Sequence, residues 1–218
     1  MMIRSLLAAA LAAALAWPAG AETRRPSDHS AGDFDYYVLS LSWSPSWCAT
    51  DGKGRDARQC ETGRRTGFVV HGLWPQYEQG WPDYCATGER DPSRRESQAM
   101  EDVMGSGGLA WYQWQKHGRC SGLSARGYYQ AIRDAAEAVT VPPVLRMLPR
   151  EVRLEASVIE EAFMESNPEL TGDGITVTCN GGRVDEVRIC LTRDLAPREC
   201  APDSRRDCRG KMLMEPPR

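Results

Sequence analysis

Eight cysteines, at positions 48, 60, 85, 120, 179, 190, 200 and 208, constrain this chain more than any other feature. An even number of cysteines closes into bridges in an oxidising compartment, whereas in a reducing one such residues stay free or hold a metal. The N-terminal stretch decides between these. Arg4 supplies a positive charge, Ser5 to Trp17 is a nearly unbroken Leu/Ala run, Pro18 breaks it, and Ala19-Gly20-Ala21 offers the small residues a signal peptidase needs. The run has 13 residues, too few to span a bilayer, which takes roughly 20. Residues 1–21 therefore read as a cleaved secretory signal, the cysteines as disulfides, and the address as periplasmic or secreted, with no membrane association. Structural zinc fits poorly, because there is no CxxC pair and the chain holds only three histidines.

A length of 218 residues with 41% hydrophobic residues suits one domain with one sizeable core. The formal net charge is −3, and becomes −4 once Arg4 leaves with the signal. That balance argues against a protein that coats nucleic acid through bulk charge. It leaves room for one that grips a single phosphate locally.

Residues 22–33 are polar and read as a loose N-terminal arm, so the folded domain is expected over 34–218. Phe34 to Trp43 is β-rich and partly alternating, a strand ended by Pro45. Thr66 to His71 reads as a second, buried strand, and Gln76 to Arg95 as loop. Short helices are expected over Ser97–Met104 and Leu109–His117, the latter stopped by Gly118. Ser124 caps a clearer helix reaching Val139, with Tyr128, Ile132, Ala135, Ala136 and Val139 near helical spacing. Ala156–Ser166 is amphipathic and stops before Asn167-Pro168. Ile175–Cys179 and Arg183–Leu191 flank Asn180-Gly181-Gly182, a hairpin signal. The tail after Cys200 reads as irregular. Dispersed strands with mid-chain helices predict an α+β fold: a single, disulfide-bonded domain with a largely antiparallel sheet packed by several helices.

With His29 in the arm, two histidines remain, in Val70-His71-Gly72-Leu73-Trp74-Pro75 and in Trp114-Gln115-Lys116-His117-Gly118-Arg119-Cys120. In both, His precedes Gly and a tryptophan lies nearby. A lone histidine is as readily a satisfied structural residue as a catalytic one. Two imidazoles together can serve as base and acid near neutrality, and a cation such as Lys116 beside them can stabilise extra negative charge in a transition state. On a helix, Gln113 and His117 share a face, with Tyr112 close by. Neither HExxH nor GxSxG occurs, so metal-ligand and serine-hydrolase readings lack support.

Two segments carry a specific resemblance. FVVHGLWP (Phe68–Pro75) is similar to the first active-site segment of the ribonuclease T2 family, and LAWYQWQKHGRC (Leu109–Cys120) to the second, in the family's order. YYVLSLSWSPSWC (Tyr36–Cys48) resembles the family's first strand, in particular that of bacterial ribonuclease I-type members. The resemblance implies an α+β fold and a metal- and cofactor-independent endoribonuclease that cuts single-stranded RNA with low base specificity, working as a monomer without an obligate protein partner. It implies that His117 takes the proton from the 2′-hydroxyl, His71 protonates the leaving 5′-oxygen, and the roles reverse as water opens the 2′,3′-cyclic phosphate to a 3′-phosphate. Lys116 matches the phosphorane-stabilising lysine and Trp74 a base-contacting aromatic. Tyr112-Gln113 stands where the commonest form has His-Glu; a Gln can hydrogen-bond but cannot carry charge or a proton. That departure leaves open a second reading, a T2-like protein that binds RNA without cutting it. Eight cysteines allow roughly a hundred pairings; the resemblance implies Cys48–Cys60, Cys85–Cys120, Cys179–Cys208 and Cys190–Cys200.

Overall fold

The strand expected before Pro45 is the spine of the molecule. In the computed structural model, which describes residues 27–54 and 57–217, the strands in chain order are β1 (Ser27–Ser30), β2 (Tyr36–Trp43), β3 (Phe68–Gln76), β4 (Cys85–Ala86), β5 (Val152–Leu154), β6 (Ile175–Asn180), β7 (Arg183–Leu191) and β8 (Met212–Met214). The helices are α1 (Ser44–Ala49), α2 (Arg94–Gln98), α3 (Glu101–Met104), α4 (Gly107–Lys116), α5 (Ala125–Ala138), α6 (Pro143–Arg146) and α7 (Ala156–Ser166). The expected signal segment, 1–21, lies outside the described residues.

β2 lies between β3 and β7, antiparallel to both. β6 pairs β7 antiparallel through a tight hairpin, whose Gly181 and Gly182 both take positive φ, the conformation that a type I′ turn demands at its two central positions. β8 meets β7 in a single parallel pair, Arg183 with Leu213, and pairs antiparallel with β5. The sheet is thus largely antiparallel and the fold α+β in one domain.

All eight residues of β2 are buried, because both of its faces are covered. Tyr37, Leu39, Leu41 and Trp43 enter the main core, with Val70 and Leu73 of β3, Val187 and Ile189 of β7, Ala110 and Trp114 of α4, Ile132 of α5, and Ile159 and Phe163 of α7. Tyr36 and Val38, on the opposite face, pack with Cys190, Cys200 and Ala201. The helices form where local signals place them. Ser106 accepts from the Gly108 and Leu109 amides to start α4, Ser124 accepts from Gly127 to start α5, and Ser93 with Glu96 makes a capping box on α2. The helix expected over 97–104 is instead two short ones, α2 and α3.

Two expectations need correction. The polar arm is not loose from Ser27 onward: β1 pairs in parallel with β4, and Gly32 N donates to Cys120 O at 2.9 Å. These are backbone bonds, to which side-chain polarity is blind. The tail after Cys200 is also not wholly irregular, since β8 buries Met212 and Met214 on either side of half-exposed Leu213. A three-residue alternation is too short to stand out in sequence. Among the described residues no helix is long and apolar enough to cross a membrane.

The four disulfides join Cys48 to Cys60, Cys85 to Cys120, Cys179 to Cys208 and Cys190 to Cys200.

Candidate active site

Strand β3 delivers the first histidine through a defect in its pairing. Gly72 lies opposite Ser40 and Val70 opposite Leu41, so His71 between them has no partner on β2 and is the extra residue of a β-bulge. The bulge breaks the two-residue alternation. Val70 and Leu73, three apart, both enter the core. His71 and Trp74, also three apart, meet on the other face with ring centroids at 5.4 Å, edge to face.

The second histidine is the C-cap of α4, where the helix ends. His117 stacks on Trp74 with centroids 5.3 Å apart and planes 28° from parallel. Its side chain is buried, and Nδ1 has no hydrogen-bond partner among the described residues. Burial, then the positive charges of Lys116 and His71, push its pKa from 6.5 down to about 3. His117 is therefore neutral near pH 7 and open to receiving a proton. Lys116, at the last helical position, lies one residue before it.

Trp74 joins the two halves. Its Nε1 donates to Gln113 Oε1 at 2.7 Å, and Gln113 is buried on α4, one turn before His117. Both His-Gly pairs follow from space rather than backbone conformation. A Cβ on Gly72 would collide with Gln113 Oε1 and Trp74 Nε1, and one on Gly118 would lie 2.5 Å from the Trp114 ring and 2.6 Å from that of Tyr128. Each glycine lets an aromatic ring sit directly against the chain beside a histidine.

The end of α4 is clamped from outside. Tyr84 N donates to Lys116 O at 2.8 Å, Cys120 N to His117 O at 3.0 Å, and the Cys85–Cys120 bridge fastens the same turn to β4. β1 backs this arrangement, so residues upstream of the expected domain start support the site.

His71, about one third exposed, opens with Tyr112 onto a groove of about 1120 Å³ also lined by Ser42, Trp47, Arg58 and Trp111. Tyr112 is 44% exposed and stands on the groove wall, apart from the His71–Trp74–His117 stack. Trp74 is engaged within the protein by both imidazoles, by Gln113, and by the Arg188 guanidinium 5.2 Å from its ring centre.

Two site residues escaped the sequence reading. Glu186 Oε1 contacts His71 Nδ1, and Glu186 Oε2 accepts from Arg188 Nε at 2.9 Å and Nη2 at 2.6 Å. Burial opposes the charge on Glu186, but the hydrogen bond and charge of His71, with those of Arg188, hold its pKa down at about 2. The available signal was a Glu and an Arg two apart on a strand that also carries Arg183 and Asp185, a pattern that ordinarily marks a solvent-facing face. Among the described residues no group of three or more His, Cys, Asp or Glu side chains is placed to hold a metal ion.

Comparison with known proteins gives this geometry a context. The sequence model of the Ribonuclease T2 family matches residues 34–200. A ribonuclease of Aeromonas hydrophila is 45% identical over 104 residues, which are 48% of this chain and 46% of that protein. The matched stretch is thus under half of that relative's length. Ribonuclease I of Escherichia coli is 29% identical over 206 residues, 75% of this chain and 77% of that one. Among solved structures, RNase NT in complex with 5′-AMP superposes with a TM-score of 0.64 at 26% identity, covering 84% of this chain and 99% of that chain. The histidine-bearing bulge of β3 and the helix ending in His117 both fall within the matched residues, and the chain belongs to the ribonuclease T2 family.

Proposed function

We propose that the protein is a metal-independent endoribonuclease that cleaves single-stranded RNA with low base specificity, in a periplasm or outside the cell. His117, neutral at working pH, removes the proton from a ribose 2′-hydroxyl. The alkoxide attacks the adjacent phosphorus, and His71 protonates the departing 5′-oxygen. A 2′,3′-cyclic phosphate results. In the second half His71, now neutral, activates water and His117 returns its proton, leaving a 3′-phosphate. Lys116 stabilises the phosphorane charge. Trp74 and Gln113 hold His117 in place, and Tyr112 contacts substrate from the groove wall.

The observation that carries this reading is the pairing of a buried, neutral imidazole with a partly exposed, carboxylate-bound one across Trp74. Two histidines in contrasting surroundings suit base and acid roles in one step. A low proton affinity at His117 is no obstacle, because a bound phosphodiester brings negative charge beside it and favours the imidazolium as it forms. The four disulfides and the signal-like N-terminus support an oxidising compartment, and the amide of Gln113, committed to Trp74, supports a positioning role that needs no charge.

The test is digestion of a defined single-stranded RNA by the oxidised protein in excess EDTA, beside His117→Ala. Cyclic-phosphate and 3′-phosphate ends from the unaltered protein, lost in the variant, support the reading. Intact RNA from correctly bridged protein would favour an RNA-binding protein that does not cut.

A further inference from the structure

β2 separates β3 from β7, and what stands on β2 decides whether side chains of the outer strands can meet. At this point β2 presents Ser40 and Ser42 on the face opposite the core. Ser42 pairs with Val69 of β3 and Glu186 of β7, and Ser40 with Gly72 and Arg188. Two small residues, both buried, leave a shallow trough over the middle strand. His71, displaced by the bulge, reaches across it from one side and Glu186 from the other.

The pairing selects one nitrogen. Nδ1 of His71 is committed to Glu186 Oε1, so Nε2 is the atom left to face the groove. A neutral imidazole held with its proton on Nδ1 has an acceptor at Nε2, and a cationic one has a donor there. The same atom can thus give a proton in the first half-reaction and take one in the second without a tautomer change. Arg188 holds the other carboxylate oxygen twice, fixing the rotamer of Glu186 so that Oε1 stays aimed at His71. The other titratable groups that interact with this pair are Asp185 of β7, itself within reach of Asp51, and His117, which Lys116 flanks at the end of α4.

On the reading given under Proposed function, we infer that Glu186, fixed by Arg188, is a positioning residue that holds His71 with its proton on Nδ1, so that Nε2 serves as acid and then as base. A carboxylate behind a histidine acts this way wherever the imidazole must be oriented. The small side chains at 40 and 42 belong to the same device, since a bulky residue at either would fill the trough.

Three variants separate the inference from a merely structural role. Glu186→Gln keeps the shape and an acceptor for Nδ1–H but removes the charge. Its kcat should fall at least ten-fold with KM changed less than three-fold. Glu186→Leu removes the acceptor as well and should cost more. Arg188→Gln should weaken activity less than either, by loosening Glu186. Independently of activity, ring-nitrogen NMR of the unaltered protein should find neutral His71 protonated on Nδ1, a preference kept in Glu186→Gln and lost in Glu186→Leu. A neutral His71 protonated on Nε2, or a Glu186→Gln enzyme with unaltered kcat, overturns the inference. If the unaltered protein cleaves no RNA while its NMR shows the expected tautomer, the functional reading fails and the inference about His71 stands.

Discussion

Replacing His117 with phenylalanine should change how stability depends on pH. The His117 side chain is buried, Nδ1 lacks a hydrogen-bond partner among the described residues, and the ring stacks on Trp74. A benzene ring preserves that stack and removes the titratable nitrogens. In the folded protein the imidazole resists protonation until about pH 3, against an ordinary value of 6.5. Between those values the unfolded chain binds a proton that the folded one does not, so stability is complete above about 6.5 and is lost as pH falls. At roughly 1.4 kcal/mol per pH unit, the loss between pH 7 and pH 4 is about 3 kcal/mol from this residue alone. Glu186, held near 2, contributes stability present above its ordinary range and lost as pH falls toward 2, and it does so in both proteins. Urea unfolding of the oxidised proteins at pH 7 and pH 4 reads the difference. The gap between unaltered and His117→Phe protein should shift by about 3 kcal/mol in favour of the variant on acidification. Parallel pH dependence in the two would refute the claim that burial keeps His117 neutral.

Gly72→Ala forces a Cβ into the Trp74–Gln113 contact, and should cost about 1–3 kcal/mol as an overpacked site; kcat should fall with it, and urea unfolding with steady-state kinetics checks both. Removing the Cys85–Cys120 bridge with paired serines should cost about 2–5 kcal/mol and lower kcat even below the melting temperature, because the bridge clamps the turn after His117; calorimetry and activity at 15 °C separate the two effects. Glu160 has its pKa raised to about 7 by burial and by neighbouring Asp207, so its contribution is intact below pH 4.5 and lost as pH rises through 7. Glu160→Gln should therefore raise Tm by a few degrees at pH 8 and leave it unchanged at pH 4.5.

Most of the frame was legible in the sequence because it is written in local patterns. The apolar alternation of β2, the Gly-Gly hairpin between β6 and β7, and the cap at Ser124 are all short-range signals. The two His-Gly segments announced the site, though not the reason for their glycines. That reason is steric: Trp74 and Gln113 press against the backbone at Gly72, and the rings of Trp114 and Tyr128 at Gly118, contacts that depend on how β3, α4 and α5 pack together. Glu186 stayed hidden for a related cause. A charged residue on a strand ordinarily faces water, and only the bulge at His71 with the small residues at 40 and 42 turns it into a buried partner. The arm from Ser27 and the strand at Met212–Met214 hold on through backbone pairing, which leaves little trace in side-chain chemistry. Trp74, matched by resemblance to a base-contacting aromatic, is occupied on the protein side by both histidines, and that depends on the three-dimensional position of α4.

The central claim is that His117 draws a proton from a ribose 2′-hydroxyl. The most direct measurement uses a DNA oligonucleotide carrying one ribonucleotide, incubated with the oxidised protein in EDTA and followed by mass spectrometry. The account predicts one cut, on the 3′ side of the single ribose, with a 2′,3′-cyclic phosphate appearing first and a 3′-phosphate after it. Cleavage at deoxyribose positions, or a 3′-phosphate formed with no cyclic precursor, would contradict it.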